Sequence, residues 1–343
     1  MNITTASVLV TTPARIAACL LDMNGALGRV DGTLGIALDF PSVQVRVSPA
    51  PGLEVVWPNN DAGPLSILAR RCLTSFGTLH GALIEVEDSY EPHSGLGLTT
   101  QLRLAVIAGL SKLANYPMTI RETGQAAGRG GTSGAGLFAF HLGGVTLDGG
   151  HTFGPFKEKQ EFIPSRTAHP HTPPLLARHQ FPDAWRIVCV TVENLAGKSG
   201  EDEVGFFARS CPVPASEAAA TCRLVLMSIL PGIVAQDLPA VSVGIDDLQQ
   251  TGFKSRVWQM QDKLVLQARI IMRRAGLTGI GLSSLGPTIY SVVDADEADS
   301  VLENLRSLMA EKGIRAKVWA TAVSQTGASI RTDPVSERGS QQA

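Results

Sequence analysis

The chain has 343 residues, 29 Lys and Arg against 31 Asp and Glu, a formal charge of -2, and 44% hydrophobic residues. That is enough for two domains with separate cores, and balanced charge without a basic run excludes a surface built to track a nucleic-acid backbone. Five cysteines (Cys19, Cys72, Cys189, Cys211 and Cys222) without a C-x-x-C pair exclude a disulfide framework and a zinc knuckle, and read as buried thiols in a reducing compartment.

The opening MNITTASVLVTTPAR lacks the basic region and continuous apolar run of a secretory signal. No stretch reaches the roughly 18 apolar residues of a membrane span, so a soluble, cytoplasmic protein with no membrane partner is expected. "SVLVTTPARIAACLLD" and "GTLGIALDFPSVQVRV" predict consecutive strands joined by "MNGALGRVDG", and "GALIEVED" predicts a further strand leading into "EPHSGLGLTTQLRLA". From Thr100, Leu102, Val106, Leu110 and Leu113 recur at helical spacing, while Ala105, Ala108, Gly109 and Ala114 keep neighbouring faces small. A helix buried on several sides follows.

"TIRETGQAAGRGGTSGAGLFAFHLGG" predicts a short helix, a glycine loop and a second helix before the strand "VTLDGGHTF". The next stretch, "KEKQEFIPSRTAHPHTPPLLARH", mixes charge, histidine and proline and is expected to continue neither helix nor strand. It reads as a solvated linker or a flap, and marks the domain junction. Beyond it come the strand "WRIVCVTV", three helical segments ("SEAAATCRLVLMSILPGIVAQ", "LPAVSVGIDDLQQTGF" and "VWQMQDKLVLQARIIMRRAG"), the strand and turn "GIGLSSLGPTIYSVV", an amphipathic helix and the strand "RAKVWATAV". The expected class is α+β with a mixed sheet, divided into residues 1–182, residues 183–330 and a frayed tail over 331–343.

Three glycine loops carry the chemistry. Gly95 and Gly97 remove side chains that would hold an anion away from backbone amides, and the following helix aims its positive end at the same place. Gly128 to Gly134 opens a second helix and adds Arg129 and two hydroxyls, and Gly279 to Gly286 supplies Ser283 and Ser284. One such loop alone would be a tight turn; three with an arginine point to a large polyanion. Asp148 and His151 in "LDGGH" are candidates for proton or divalent-metal chemistry, with a satisfied structural histidine as the alternative. Asn24, Arg29 and Asp31 in the first loop either solvate that turn or project into the cleft of the glycine loops. His169, His171 and His179 lack the spacing of zinc ligands.

Together, "TPARIAACLLDMNGALGRVDGTLGIALDFP", "HSGLGLTTQLRLA", "GRGGTSGAG", "GGVTLDGGHTFG", "CPVP" and "GLSSLGPTIY" resemble, in order and over most of the chain, the GHMP superfamily. More narrowly they resemble its β-ribofuranosylaminobenzene 5'-phosphate synthases. The resemblance implies a two-domain GHMP-kinase-like fold, with a ribosomal S5 domain 2-like N-terminal domain and a ferredoxin-like C-terminal domain. It implies a decarboxylating C-glycosyltransferase joining 5-phosphoribosyl 1-pyrophosphate (PRPP) to an aromatic acid, with Mg²⁺ accompanying the donor, no organic cofactor and a homodimeric state.

The same resemblance assigns Ser94, Gly95, Gly97, Thr99, Thr100, Gln101, Arg129, Gly130, Gly131, Thr132, Ser133, Ser283 and Ser284 to the donor. Arg15, Ala17, Asn24 and Arg29 are assigned to the acceptor, and Asp148, His151 and Asp31 to catalysis; no metal ligand is assigned. Two departures stand out: Ala17 where the family reads histidine, and G-L-G-L-T-T-Q in place of G-L-G-S-G-T-Q. They favour the branch that attaches 4-amino-pyrazole-3,5-dicarboxylate in the biosynthesis of C-nucleoside antibiotics such as formycin and pyrazofurin. The methanopterin-pathway synthase and an ATP-dependent GHMP kinase are the alternatives.

Overall fold

The computed structural model describes residues 6–164, 168, 171–195 and 201–334. The strands in chain order are β1 (Ala6–Asp22), β2 (Arg29–Pro49), β3 (Leu53–Val56), β4 (Ala82–Asp88), β5 (Val145–Asp148), β6 (His151–Thr152), β7 (Leu175–His179), β8 (Trp185–Val192), β9 (Gly281–Leu282), β10 (Thr288–Asp294), β11 (Ala316–Thr321) and β12 (Ser329–Pro334). The helices are α1 (Gly63–Phe76), α2 (Leu98–Leu113), α3 (Ile120–Ala127), α4 (Ala135–Leu142), α5 (Glu201–Ser210), α6 (Ala215–Leu224), α7 (Leu230–Ala235), α8 (Leu238–Gln249), α9 (Gly252–Gln259), α10 (Lys263–Arg274) and α11 (Ala298–Glu311).

Two sheets organise the chain. The first runs β12-β1-β2-β4-β3, with β5 and β6 pairing onto β2 and β7 onto β5; β3 and β4 are parallel and the other pairs antiparallel. The second is antiparallel in the order β11-β8-β10-β9. Val8, Val10, Val45 and Val47 alternate onto one face of the first sheet and pack with Leu102, Val106 and Leu110 of α2. Burying each such side chain stabilises the fold by about 1.5–3 kcal/mol. Val188, Val190 and Val318 of the second sheet pack with α10 and α11 through Val265, Met272, Leu305 and Met309.

A third cluster joins the halves. Ile16, Ala18, Leu34 and Ile36 from the far ends of β1 and β2 meet Ile187, Cys189 and Tyr290 of the second sheet and Ile229 and Ile245 from the helices. The two sheets therefore share a core, and the cleft above it has a rigid floor. Between Ala17 and Cys19 the register with β2 shifts, a bulge in β1. It bends the strand where it passes from one core to the other.

Four expectations are corrected. Residues 331–334 are not frayed: they belong to β12, paired with β1 from Ala6↔Pro334 to Leu9↔Arg331, and Arg46 reaches Asp333 at 3.1 Å. The proline-rich stretch does hold a strand, β7, because Leu175 to His179 lies past its last proline and adds to the edge of β5. The third helical segment breaks at Asp262, whose side chain accepts from Leu264 N at 2.8 Å and caps α10. Residues Ala215–Ala235 form one continuous helix of 21 residues, with a π-type turn over Val225–Ile229, long and apolar enough to cross a membrane by length and composition. Its Val225, Ile229 and Ile233 are packed into the shared core.

Candidate functional site

The three glycine loops surround one cavity of about 300 Å³. The first loop lies between β4 and α2, the second between α3 and α4, and the third between β9 and β10. Gly95 and Gly97 have φ of 86° and 88°, the left-handed region that favours glycine. A Cβ on Gly95 would lie 2.8 Å from the Ser283 carbonyl oxygen and 2.9 Å from that of Gly286, so only glycine lets the first and third loops touch. Ser283 Oγ donates to the Gly95 carbonyl at 2.8 Å and accepts from Ala17 N at 3.3 Å, while Ser284 N donates to the Ala17 carbonyl at 2.8 Å. The bulge in β1 and two loops distant in sequence are thus fixed to one another.

Arg15 lies beneath this junction. Its backbone N–H donates to the Leu96 carbonyl at 3.0 Å and its guanidinium to the Gly95 carbonyl at 2.6 Å. A Cβ at Gly97 would come within 3.0 Å of Arg15 Nε, so the bare backbone leaves room for the cation against the loop. Burial lowers the Arg15 pKa from its ordinary value, with Tyr90 acting in the opposite sense. Helix α2 starts at Leu98 on the N-cap Gly97, with no side-chain cap, and Thr100 N and Gln101 N both bond the Gly97 carbonyl. The preceding amides and the hydroxyls of Thr99 and Thr100 are left at a positive helix end on the cavity wall.

From the second loop, Arg129, Gly130, Thr132 and Ser133 line the same cavity. The N-terminus of α4 is occupied by the chain itself: Asp148 Oδ2 accepts from Gly134 N at 2.9 Å and Oδ1 from Gly150 N at 3.0 Å. Burial pushes the Asp148 carboxyl up to about 7 against those two bonds.

The remaining expectations divide by position. Of the donor set, Gly95, Gly97, Thr99, Thr100, Arg129, Gly130, Thr132, Ser133 and Ser284 line the cavity. Ser94, Gln101, Gly131 and Ser283 do not: Gln101 is buried, accepting from Thr12 Oγ1 and donating to the Gly136 carbonyl at 2.9 Å, and Ser283 is spent on the loop junction. Of the acceptor set, Arg15 and Ala17 line it. Asn24 instead donates to the Val213 carbonyl at 2.6 Å, and the exposed Arg29 braces the turn by donating to Gly149 and Gly150 at 2.9 and 2.8 Å.

None of Asp31, Asp148 and His151 lines the cavity. Asp31 accepts from His151 Nδ1 at 2.7 Å and from Lys159 Nζ at 2.9 and 3.0 Å. His151 Nε2 faces the His171 carbonyl at 3.1 Å, so both ring nitrogens meet acceptors, which suits an imidazolium. Burial opposes that charge, but the bond and field of Asp31 and the His171 carbonyl outweigh it and raise the pKa. Lys159 also donates to Thr132 Oγ1 at 3.2 Å, so this buried cluster stands behind the second loop and holds it. His169 lies outside the described residues.

The sequence reading passed over one side of the site. Phe207 and Glu203 of α5, Phe253, Lys254 and Val257 of α9, and Leu285 of the third loop complete the lining. Lys254 Nζ donates to the Leu282 carbonyl at 2.8 Å and the Ser284 carbonyl at 2.9 Å, and its residue is only 5% exposed. Burial pushes this ammonium down to about 7; the Cys19 thiol nearby acts to raise it and Arg15 to lower it. Helical spacing from Lys254 to Val257 and Trp258 was the available signal, since it sets the lysine on a buried face.

The comparisons agree with this geometry. No family model matches the chain. It is 35% identical over 319 residues to the β-ribofuranosylphenol 5'-phosphate synthase of Archaeoglobus fulgidus, covering 93% of this chain and 98% of that one. It is 32% identical over 334 residues to the protein of that name from Methanocaldococcus jannaschii, covering 94% and 99%. Among solved structures, the homoserine kinase of Cytophaga hutchinsonii superposes with a TM-score of 0.67 at 16% identity, covering 95% and 97%. The mevalonate diphosphate decarboxylase of Staphylococcus aureus does so with 0.64 at 12%, covering 95% and 98%. These two show the GHMP-kinase-like α+β fold.

Proposed function

We propose a function from the premise that this chain belongs to the β-ribofuranosylphenol 5'-phosphate synthase family: it transfers 5-phosphoribosyl from PRPP to an aromatic carboxylic acid, releasing pyrophosphate and carbon dioxide. A carbon to carbon glycosidic bond results. The observation that carries the reading is the mixed lining of one cavity. It brings together the positive end of α2, Arg15 and Arg129 with the rings of Phe207 and Phe253. An anionic leaving group and a flat apolar ring are the two partners such a lining accommodates.

In this reading the pyrophosphate lies against Gly97, Thr99, Thr100 and Arg129, whose preorganised donors stabilise the charge that grows as the C1–O bond breaks. The anomeric carbon becomes cationic and the acceptor's ring carbon bearing the carboxylate attacks it; loss of carbon dioxide restores aromaticity. Mg²⁺ suits the site as a companion of the pyrophosphate: the lining includes the hydroxyl residues Thr99, Thr100 and Ser133, an oxygen set that leaves most ligands to phosphate and water. It would supply further neutralisation of leaving-group charge.

The acceptor favoured here is a para-substituted benzoate, because the relatives that span the chain are named for a phenol product. That reverses the order in which the sequence alone ranked the pyrazole and benzoate acceptors. The pyrazole dicarboxylate remains the second reading on one observation, that Ala17 lines the cavity and leaves space there. The test is mass spectrometry of products after incubation with PRPP and 4-hydroxybenzoate, 4-aminobenzoate or 4-amino-pyrazole-3,5-dicarboxylate. A ribosylated, decarboxylated product is expected; phosphorylation of a small alcohol by ATP with no such product would overturn the reading.

A further inference from the structure

Lys254 is buried, yet it lines the cavity together with Phe207 and Phe253. Its Nζ donates to two carbonyls, those of Leu282 and Ser284, at 2.8 and 2.9 Å. Tetrahedral nitrogen then has one direction left besides the bond to its own side chain. In the neutral amine, whose two N–H groups both serve carbonyls, that direction holds the lone pair. In the ammonium it holds a third N–H. The titratable and charged groups on the elements around the cavity are Arg15 and Cys19 on β1, His93 in the first loop, Arg129 in the second and Glu203 on α5.

We propose that Lys254 is the general base that removes the proton from the acceptor's para hydroxyl, an inference that rests on the reading of the site as a phosphoribosyl transferase for aromatic acids. The proton passes from the phenol oxygen to Nζ, giving phenolate and ammonium. Charge on that oxygen is delivered through the ring to the para carbon, which carries the carboxylate. The electron pair of this carbon forms the bond to C1 of the ribosyl group as the C1–O bond breaks and its pair leaves with pyrophosphate. In the resulting dienone the bond to the carboxylate breaks, carbon dioxide departs, and its pair restores the ring as phenolate. Nζ returns the proton, so the step is balanced without another reactant. The burial that brings this amine to about 7 places it where a base is both free and strong enough at neutral pH.

An amino-substituted acceptor needs no such base, because its nitrogen lone pair is available without losing a proton. The experiment therefore compares 4-hydroxybenzoate with 4-aminobenzoate in the wild-type enzyme and in Lys254→Met and Lys254→Arg. In the wild type, kcat/KM for the hydroxy acid is expected to fall as pH drops below about 7, with no such limb for the amino acid. Either variant is expected to lose about 100-fold or more on the hydroxy acid and at least about tenfold less on the amino acid. A thermal shift with PRPP verifies that each variant folds and binds donor; if neither folds, the two wild-type pH profiles decide. Equal losses on both acceptors, or identical pH limbs in the wild type, overturn the base assignment while leaving the transferase intact. No wild-type turnover of either acid with PRPP overturns the base assignment, and no turnover of the aminopyrazole dicarboxylate as well overturns the transferase reading with it.

Discussion

Ser283 Oγ donates to the Gly95 carbonyl at 2.8 Å, tying residues 188 positions apart into one junction beneath the cavity. Ser283 is fully buried, and the same hydroxyl accepts from Ala17 N at 3.3 Å. Ser283→Ala leaves the buried Ala17 amide without this partner, a cost of about 1–3 kcal/mol, while the Gly95 carbonyl keeps the Arg15 guanidinium. Urea unfolding is expected to show a lower midpoint at unchanged slope. A variant as stable as the wild type would show that the junction holds by backbone contact alone.

The cluster of Asp31, His151 and Lys159 places one carboxylate between two cationic groups, all buried. Asp31→Asn removes the compensating charge and leaves Lys159 in a dry site, which is expected to cost about 3–5 kcal/mol. Calorimetry measures the loss. Because the cluster supports the second loop from behind, His151→Gln is expected to keep kcat per folded molecule within about tenfold of wild type, short of the loss typical of a missing general acid or base. A collapse of kcat at full stability would return His151 to the chemistry.

Asp148 gives a pH signature. Its folded carboxyl is raised from 3.8 to about 7 by burial. The folded state therefore holds its proton more tightly than the unfolded chain. The stability this contributes is complete below about pH 3.8 and is lost as pH rises through about 7. Subtracting the stability curve of Asp148→Asn from that of the wild type is expected to leave a difference that falls across that window, whatever the other groups do. A flat difference curve would mean that the carboxyl titrates normally.

Arg129 lines the cavity from the second loop. If it meets the donor's phosphate oxygens, Arg129→Ala is expected to lose about 2–4 kcal/mol of transition-state stabilisation, read as kcat/KM for PRPP per folded molecule. PRPP is also expected to raise the wild-type melting temperature more than ATP at equal concentration. Wild-type kinetics in the variant would make the guanidinium a structural group.

Ala17 sits 8% exposed on the cavity wall, at the position where the family resemblance leads one to expect histidine. Ala17→His is expected to shift the ratio of kcat/KM toward the benzoates and away from the aminopyrazole by about tenfold, since a polar group filling that space rewards an acceptor with few hydrogen-bonding atoms of its own. An unchanged ratio would place the selectivity elsewhere.

The glycine-loop side of the cavity was legible in the order of residues alone. Glycine loops that open helices are local devices: the φ values of Gly95 and Gly97 and the start of α2 at Leu98 depend on neighbours in the chain, so the order of residues discloses them. Arg129 was legible for the same reason, while Arg15, Ala17, Thr99 and Thr100 were assigned through the family resemblance, and all five line the cavity. The long β1 and β2 and the paired helices around the second loop were legible from their periodicity.

Only the tertiary structure decided which polar residues face the ligand and which serve the fold. Asp148, His151, Asp31, Gln101, Asn24 and Arg29 have the composition of an active site, but each finds its partners within the protein, because buried polar groups must be paired and folding supplied carbonyls, amides and an opposite charge. Lys254 shows the converse. It is separated by more than 230 residues of chain from Arg15 and Ala17, in a helix whose burial was set by the shared core between the sheets. A contact between elements so far apart in sequence leaves no local pattern, and only the folded chain brings residues of α5 and α9 to the same cavity as the glycine loops.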